Sequence, residues 1–150
     1  MEAEDYSDPA TADYINREFV PVEAHIKENP TWFKRFNVAW TPTVLVLDST
    51  GREQYRSEGY LPPREFRAAL ALGHAKAAFQ QKNFEASERG FRALIAEYPE
   101  TAAAPEAIYW ATVSGYQRDH DHTRFRPMAE ELQGKYPGNL WTKKASYWLS

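Results

Sequence analysis

A short apolar run at residues 43–47, TVLVL, limits the fold of this 150-residue chain more than any other feature. The turn sequence TPT at 41–43 leads into the run, and DSTG at 48–51 follows it, where Gly51 can take the positive φ of a tight turn. A β-branched apolar run of this kind predicts a strand covered on both faces. Residues 52–60 alternate polar and apolar positions, which predicts a second strand pairing antiparallel with the first.

The residues before this hairpin predict two short helices and another strand. Ser7 or Asp8 can cap a helix that begins at Pro9, where the fixed φ of proline suits a first helical position. Residues 19–26, FVPVEAHI, predict a strand, and Pro30 opens a short second helix. The predicted order is therefore helix, strand, helix, strand, turn, strand, helix.

Composition excludes several classes of protein. The net charge of −3 argues against a nucleic-acid partner, which needs a basic surface, and no apolar run approaches the roughly 20 residues of a membrane span. The N-terminal MEAED is acidic and does not resemble a signal peptide, so the chain as given is expected in the cytoplasm, with its location unknown if the natural N-terminus lies upstream. The absence of cysteine excludes disulfides and thiolate chemistry. No cofactor motif is recognisable, and we expect no enzymatic activity from this chain alone.

The C-terminal half has the spacing of stacked helices. Residues 94–110 align with residues 132–148 at an offset of 38, and Leu, Tyr, Pro, Ala, Tyr and Trp recur at matching positions. A period in this range is typical of helix-pair repeats. We predict helices near 63–81, 84–98, 104–118, 124–136 and 140–149.

Two resemblances to known families follow from these motifs. Residues 7–70, with FVPVEAHI, the TPT turn and the hairpin VLDSTGRE leading to GY, resemble a bacterial thioredoxin-like protein. That resemblance implies a cis peptide bond before Pro42 and a backbone at Thr41 that pairs with an extended substrate peptide. Residues 82–99, KNFEASERGFRALIAEYP, resemble the second helix of a tetratricopeptide repeat.

The fold class expected from these resemblances combines an incomplete α/β thioredoxin-like sheet with an all-α tetratricopeptide-like array. The first module is predicted at 1–70 and the array at 63–150, with the helix at 63–81 shared between them. In the thioredoxin-like family a further strand, followed by a Cys-x-x-Cys motif, lies between the strands that match 19–26 and 43–47. This sequence contains neither the strand nor the cysteines.

A missing central strand leaves unpaired backbone N–H and C=O groups on the two strands that flank it. Three arrangements can satisfy these groups. The strands at 19–26 and 43–47 can pair directly, a partner can lend a strand, or a second copy can exchange one. The partners expected are therefore a protein or peptide client, or a homodimer formed by strand exchange or edge pairing, of which dimerisation is favoured.

Three groups of residues are candidate sites, each with a structural alternative. Trp40, Thr41 and Pro42 can hold an extended peptide by strand addition, unless Trp40 only packs against Trp32 and Phe36. A second group, on the concave face of the repeats, can bind a ligand or only form core between helices. A third group is a weak candidate for a divalent metal, since a solvated loop has the same pattern. The second group is Tyr109, Trp110 and Tyr116, and the third is His120 and His122.

The other two histidines have structural interpretations, with His25 half-buried in its strand and His74 on the surface.

Two functions remain open from the sequence. The first is a redox-inactive thioredoxin-like and tetratricopeptide-like protein that acts as a protein- or peptide-binding scaffold. The alternative is the C-terminal part of a thiol-disulfide oxidoreductase whose Cys-x-x-Cys motif lies upstream of Met1.

Overall fold

The computed structural model describes residues 8–150, in which a small β-hairpin and its flanking helices lead into a series of packed helices. Short 3₁₀ turns occupy His122–Arg124 and Ser146–Leu149. The elements in chain order are α1 (Pro9–Glu18), α2 (Pro30–Arg35), β1 (Thr43–Leu47), β2 (Glu53–Glu58), α3 (Pro63–Gln80), α4 (Phe84–Glu97), α5 (Ala103–Asp119), α6 (Phe125–Lys135) and α7 (Leu140–Ala145).

The hairpin packs directly on α3. β1 and β2 pair antiparallel from Thr43 opposite Glu58 to Val46 opposite Tyr55, with an irregularity after Val46. Val46 is only 4% exposed and packs with two buried residues of α3, Phe66 and Leu70. The face of β1 that carries Val46 is therefore the core face of the sheet.

Helix α1 is joined to α3 by a polar contact at its first turn. Asp8 caps α1 by accepting hydrogen bonds from the backbone N–H and the hydroxyl of Thr11, at 3.0 and 2.7 Å. Arg67 of α3 donates to Asp8 and, at 2.9 Å, to the hydroxyl of Thr11, which is fully buried. The capping residue thus also fixes the position of α1 on α3.

The strand predicted at residues 19–26 is wrong. Residues 19–25 have no regular secondary structure and 26–28 form a turn, so the pairing of this segment with β1 does not occur. Val20, Val22 and Ile26 are 92%, 68% and 59% exposed. An apolar strand is stable only when its backbone groups are paired, and within residues 8–150 this segment pairs with no other strand.

Helices α3, α4 and α5 form the largest core. Phe91 of α4 is fully buried among alanines and leucines of all three helices, and Tyr55 of β2 contacts the edge of the same cluster. A buried hydrogen bond of 3.0 Å joins Ser87 of α4 to Ser114 of α5. The helical part and the hairpin therefore share one continuous packing interface through α3.

A second core lies at the C-terminal end. Ile108 of α5 packs against Met128 and Leu132 of α6 and Ala145 of α7. The helices begin and end within two residues of the positions predicted from the sequence, except that the last one changes to a 3₁₀ turn after Ala145.

Helix α3 contacts the hairpin, α1, α4 and α5. The division into repeats stays a prediction.

Candidate peptide-binding edge

The turn after β1 is held by one carboxylate. Asp48 accepts hydrogen bonds from the backbone N–H groups of Thr50 and Arg52, at 2.9 and 3.1 Å, and from the Thr50 hydroxyl. Gly51 occupies the turn with φ +79°, a conformation that side chains disfavour. The hydrogen bond from the Thr50 hydroxyl, followed by that from the Arg52 N–H, lowers the pKa of Asp48 to about 2. The end of β1 is therefore fixed by local contacts.

The pKa of Asp48 gives the hairpin a predicted pH dependence. Because the folded pKa lies below the ordinary value of 3.8, the ionised carboxylate stabilises the turn above about pH 4 and stops doing so as the pH falls toward 2. A ¹³C NMR titration of the Asp48 carboxyl carbon is expected to give a midpoint near 2. A midpoint near 3.8 would show that the turn does not hold the ionised form.

The start of β1 is shaped by residues 40–43. The Thr41–Pro42 peptide bond is cis. The hydroxyl of Thr43 donates to the carbonyl of Trp40 at 2.6 Å, and the N–H of Gly59 donates to the carbonyl of Pro42 at 2.8 Å. The Trp40 side chain remains 69% exposed.

No ring contact within residues 8–150 supports the alternative in which Trp40 packs against Trp32 and Phe36. The rings of Trp32 and Phe36 contact each other, with centroids 6.3 Å apart, but within residues 8–150 no ring contact involves Trp40. An exposed indole therefore lies three residues before the strand.

The hydrogen bonds at the two ends of the hairpin show which backbone groups of β1 face away from β2. Pro42 and Asp48 both bond to the opposite side of the hairpin, to Gly59 and Arg52. Since bonded and non-bonded positions alternate along an antiparallel pair, Val44 and Val46 also face β2. The N–H and C=O groups of Thr43, Leu45 and Leu47 therefore point to the other edge.

No strand among residues 8–150 pairs with that second edge of β1. The sheet formed by residues 8–150 has two strands, and no backbone hydrogen bond described for this range joins another segment to the outer side of β1. We call the backbone of Thr43, Leu45 and Leu47 on this side the free edge. Such an edge is a template for pairing with another strand.

The aromatic residues predicted on the repeat face form a cluster of half-buried rings. Trp110 contacts the rings of Phe79 and Trp141 at 5.2 and 6.3 Å, and Tyr109 lies against both tryptophans. Tyr116 contacts Phe125 and His120, at the end of α5. These rings contact one another across α3, α5, α6 and α7.

Hydrogen bonds within the loop after α5 account for its two aspartates. Asp119 and Asp121 accept hydrogen bonds from Arg124, Thr123 and backbone groups, which lower the pKa of both carboxyls. In the part of the chain that the structure describes, no group of three His, Asp or Glu side chains is arranged to hold a metal ion. Nothing in the geometry supports a metal at His120 and His122.

The other two histidines lie at the surface. His25 was predicted to be half-buried in a strand, but it is exposed in the irregular segment after α1, 3.4 Å from Glu23. His74 is exposed on α3, in contact with the ring of Phe19.

Comparison with known proteins agrees with the fold of the N-terminal part. Residues 1–74 match the family model described as Thioredoxin-like domain. This match ends within α3, the helix that the hairpin packs on. The chain is therefore an incomplete thioredoxin-like fold followed by a helical array.

Neither a curated protein nor a solved structure gives a significant match to the chain. None of the helices described between residues 8 and 150 combines the length and apolar character needed to cross a lipid bilayer.

Sequence reasoning did not identify which residues of β1 form the free edge, although the sequence contains the turn that determines this. The peptide-binding prediction named Trp40, Thr41 and Pro42, but the backbone groups that can pair belong to the next residues of the strand. The turn at 48–51 sets the hairpin register, and register decides which of residues 43–47 face outward.

Proposed function

We propose that this thioredoxin-like protein is a redox-inactive binding scaffold that accepts an extended protein or peptide segment as an added strand along the free edge of β1. The observation that carries the proposal is the outer side of β1, which is unpaired within residues 8–150 and follows the exposed Trp40 in the chain. In strand addition, main-chain hydrogen bonds supply affinity and side-chain contacts supply selectivity.

The free edge has the properties that strand addition requires. Thr43, Leu45 and Leu47 each present one N–H donor and one C=O acceptor. No charged or proline residue occurs within 43–47, so neither of these two features prevents pairing at this edge. The core face of the strand packs on α3 through Val46, which fixes the position of β1 on the helix.

Trp40 is suited to contact a peptide that pairs with the free edge. Its indole combines a large apolar surface with one N–H donor, and residues of this type are enriched where partners bind. The aromatic cluster around Trp110 is a weaker candidate, because its rings already contact one another and Lys144 lies over the ring of Trp141 at 3.9 Å.

Leu45→Pro tests the binding proposal with little disturbance of the hairpin. Proline removes the N–H of residue 45, which faces the free edge rather than β2, and proline is tolerated at such positions of an edge strand. The probe is a fluorescently labelled peptide of alternating valine and threonine with a lysine at each end. Wild-type protein is expected to bind it, and Leu45→Pro to bind it at least about tenfold more weakly, since one added hydrogen bond and the close approach of the strand are lost.

Leu45→Val is the matched control, because it keeps the N–H and a β-compatible side chain, and it should bind as wild type does. Far-UV circular dichroism establishes that both variants remain folded. Equal affinity of wild type and Leu45→Pro for the probe would contradict strand addition at this edge.

An alternative function rests on the same observation. A free edge beside the turn at Pro42 is also what remains of an oxidoreductase when its central strand and Cys-x-x-Cys motif lie upstream in a longer natural chain. The intact mass of the protein from its native cell, with and without thiol alkylation, separates the two. A species larger than 17.3 kDa that takes up two labels supports the oxidoreductase, whereas an unlabelled species of that mass supports the scaffold.

A further inference from the structure

We infer that the strand added at the free edge is β1 of a second copy of this chain, so that two hairpins form one four-stranded antiparallel sheet. This inference rests on the proposed strand addition and names its partner. It is carried by the self-complementarity of β1, which follows from three independent features of the strand: its backbone directions, its charges and its two faces.

The backbone directions are compatible with a two-fold axis at Leu45. Rotation about this axis places Leu45 opposite the same residue of the second copy, and Thr43 opposite Leu47. All of these residues direct their N–H and C=O groups to the free edge, so each opposed pair is a bonded one. Because a bonded pair exchanges two hydrogen bonds, the three pairs satisfy every free N–H and C=O of both edges.

The charges around the strand do not oppose this register. Asp48 is the only charged residue between positions 40 and 50, and the two-fold axis places it opposite Pro42 of the second copy. No like charges meet across the new interface, whereas directly opposed like charges would be destabilising. Trp40 of each copy falls beside the turn at Thr50 of the other.

The core face of the sheet also matches itself. Val44 and Val46 lie on the face that packs against α3, together with Phe66 and Leu70. Across the two-fold axis Val44 is opposite Val46 of the second copy, so the two apolar clusters join along the edge. Side chains directly opposite each other on one face of a sheet pack together and stabilise the pairing of the strands.

The absence of cysteine makes this register directly testable. In Leu45→Cys, the two introduced thiols lie in opposed residues whose Cα atoms are about 5.5 Å apart, within the range that a disulfide spans. Thr43→Cys is the matched control on the same edge, because the two copies of residue 43 are displaced by four residues along the strand, about 13 Å. Both variants are oxidised under identical conditions and analysed on non-reducing gels.

Sedimentation equilibrium of the cysteine-free protein supplies a second measurement that does not depend on any substitution. We expect a reversible dimer of twice 17.3 kDa, with most of Leu45→Cys and little of Thr43→Cys cross-linked. A protein that stays monomeric at every concentration tested, or that cross-links equally at both positions, would overturn the inference.

The inference and the proposed function fail in different ways. A monomer that still binds the valine–threonine peptide through the free edge retains strand addition and excludes the second copy as its partner. A monomer that binds no peptide overturns both.

Discussion

Replacing Gly73 by alanine is expected to lower the stability of the protein by about 1–3 kcal/mol or more, the usual cost of overpacking a core. At Gly73, helix α3 lies in close contact with the hairpin. A Cβ atom at this position would lie 2.8 Å from a methyl carbon of Val46 and 2.9 Å from the Cβ of Tyr55. Neither atom is at the end of a flexible side chain, so the helix and the sheet have to move apart.

Gly134→Ala is the control for this substitution. Gly134 is also helical, in α6, but a Cβ added there meets no atom within 4 Å. Removing the flexibility of a helical glycine is expected to leave stability unchanged or raise it by up to about 1 kcal/mol. Urea unfolding followed by far-UV circular dichroism measures both variants. A Gly73→Ala protein as stable as wild type would show that α3 is not in tight contact with β1 and β2.

Phe91→Ala is expected to have the largest effect on stability, a loss of about 3–5 kcal/mol, as is typical for truncating a fully buried phenylalanine. Phe91 is 0% exposed at the centre of the core between α3, α4 and α5. Its removal leaves a cavity among small residues such as Ala104 and Ala107, which cannot extend into the space.

Phe91→Ala also tests whether the hairpin and the helical core around residue 91 unfold together. Tyr55 of β2 contacts both the Phe91 cluster and the Val46 cluster, so the destabilisation should extend to the hairpin. Amide exchange of Val44 and Val46 is expected to accelerate along with that of α4. Tyr147→Ala is the control, because the Tyr147 side chain is 77% exposed and its truncation should change stability by less than about 0.5 kcal/mol. Unchanged hairpin exchange in Phe91→Ala would contradict a shared core.

Much of this fold could be predicted because the deciding signals are local. The run 43–47, the turn at 48–51 and the alternation after it lie next to one another in the chain, and they specify the hairpin and its register. The helix starts were equally local, since Pro9, Pro30 and Pro63 each occupy the first position of a helix.

The errors arose where structure depends on distant partners. Residues 19–26 have the composition of a strand, but composition does not supply a neighbour to pair with, and the segment stays irregular. Arg67 donates hydrogen bonds to Asp8 and Thr11, which precede it in the chain by 59 and 56 positions, so no local sequence pattern indicates these bonds. The burial of Glu88 also depends on residues distant in the chain. Helix α5 places Gly115 and the cationic Arg118 beside the Glu88 carboxylate.

The position of the candidate site stays a prediction, and its backbone detail depends on the structure. The sequence placed it at Trp40, Thr41 and Pro42, and the structure leaves Trp40 exposed there. Which backbone groups are available depends on the alternation of bonded pairs with β2, and hence on the register. The absence of a strand on the other side of β1 required the structure of the remaining described residues.

The most direct test of strand addition is amide hydrogen exchange at the five residues of β1, measured at several protein concentrations with and without the valine–threonine peptide. Val44 and Val46 should be protected throughout, because their N–H groups face β2. Thr43, Leu45 and Leu47 should exchange rapidly in dilute protein and become protected when either a second copy or the peptide is present. Protection of these three amides in a dilute monomer, or no gain of protection under any condition, would contradict a free edge that accepts a strand.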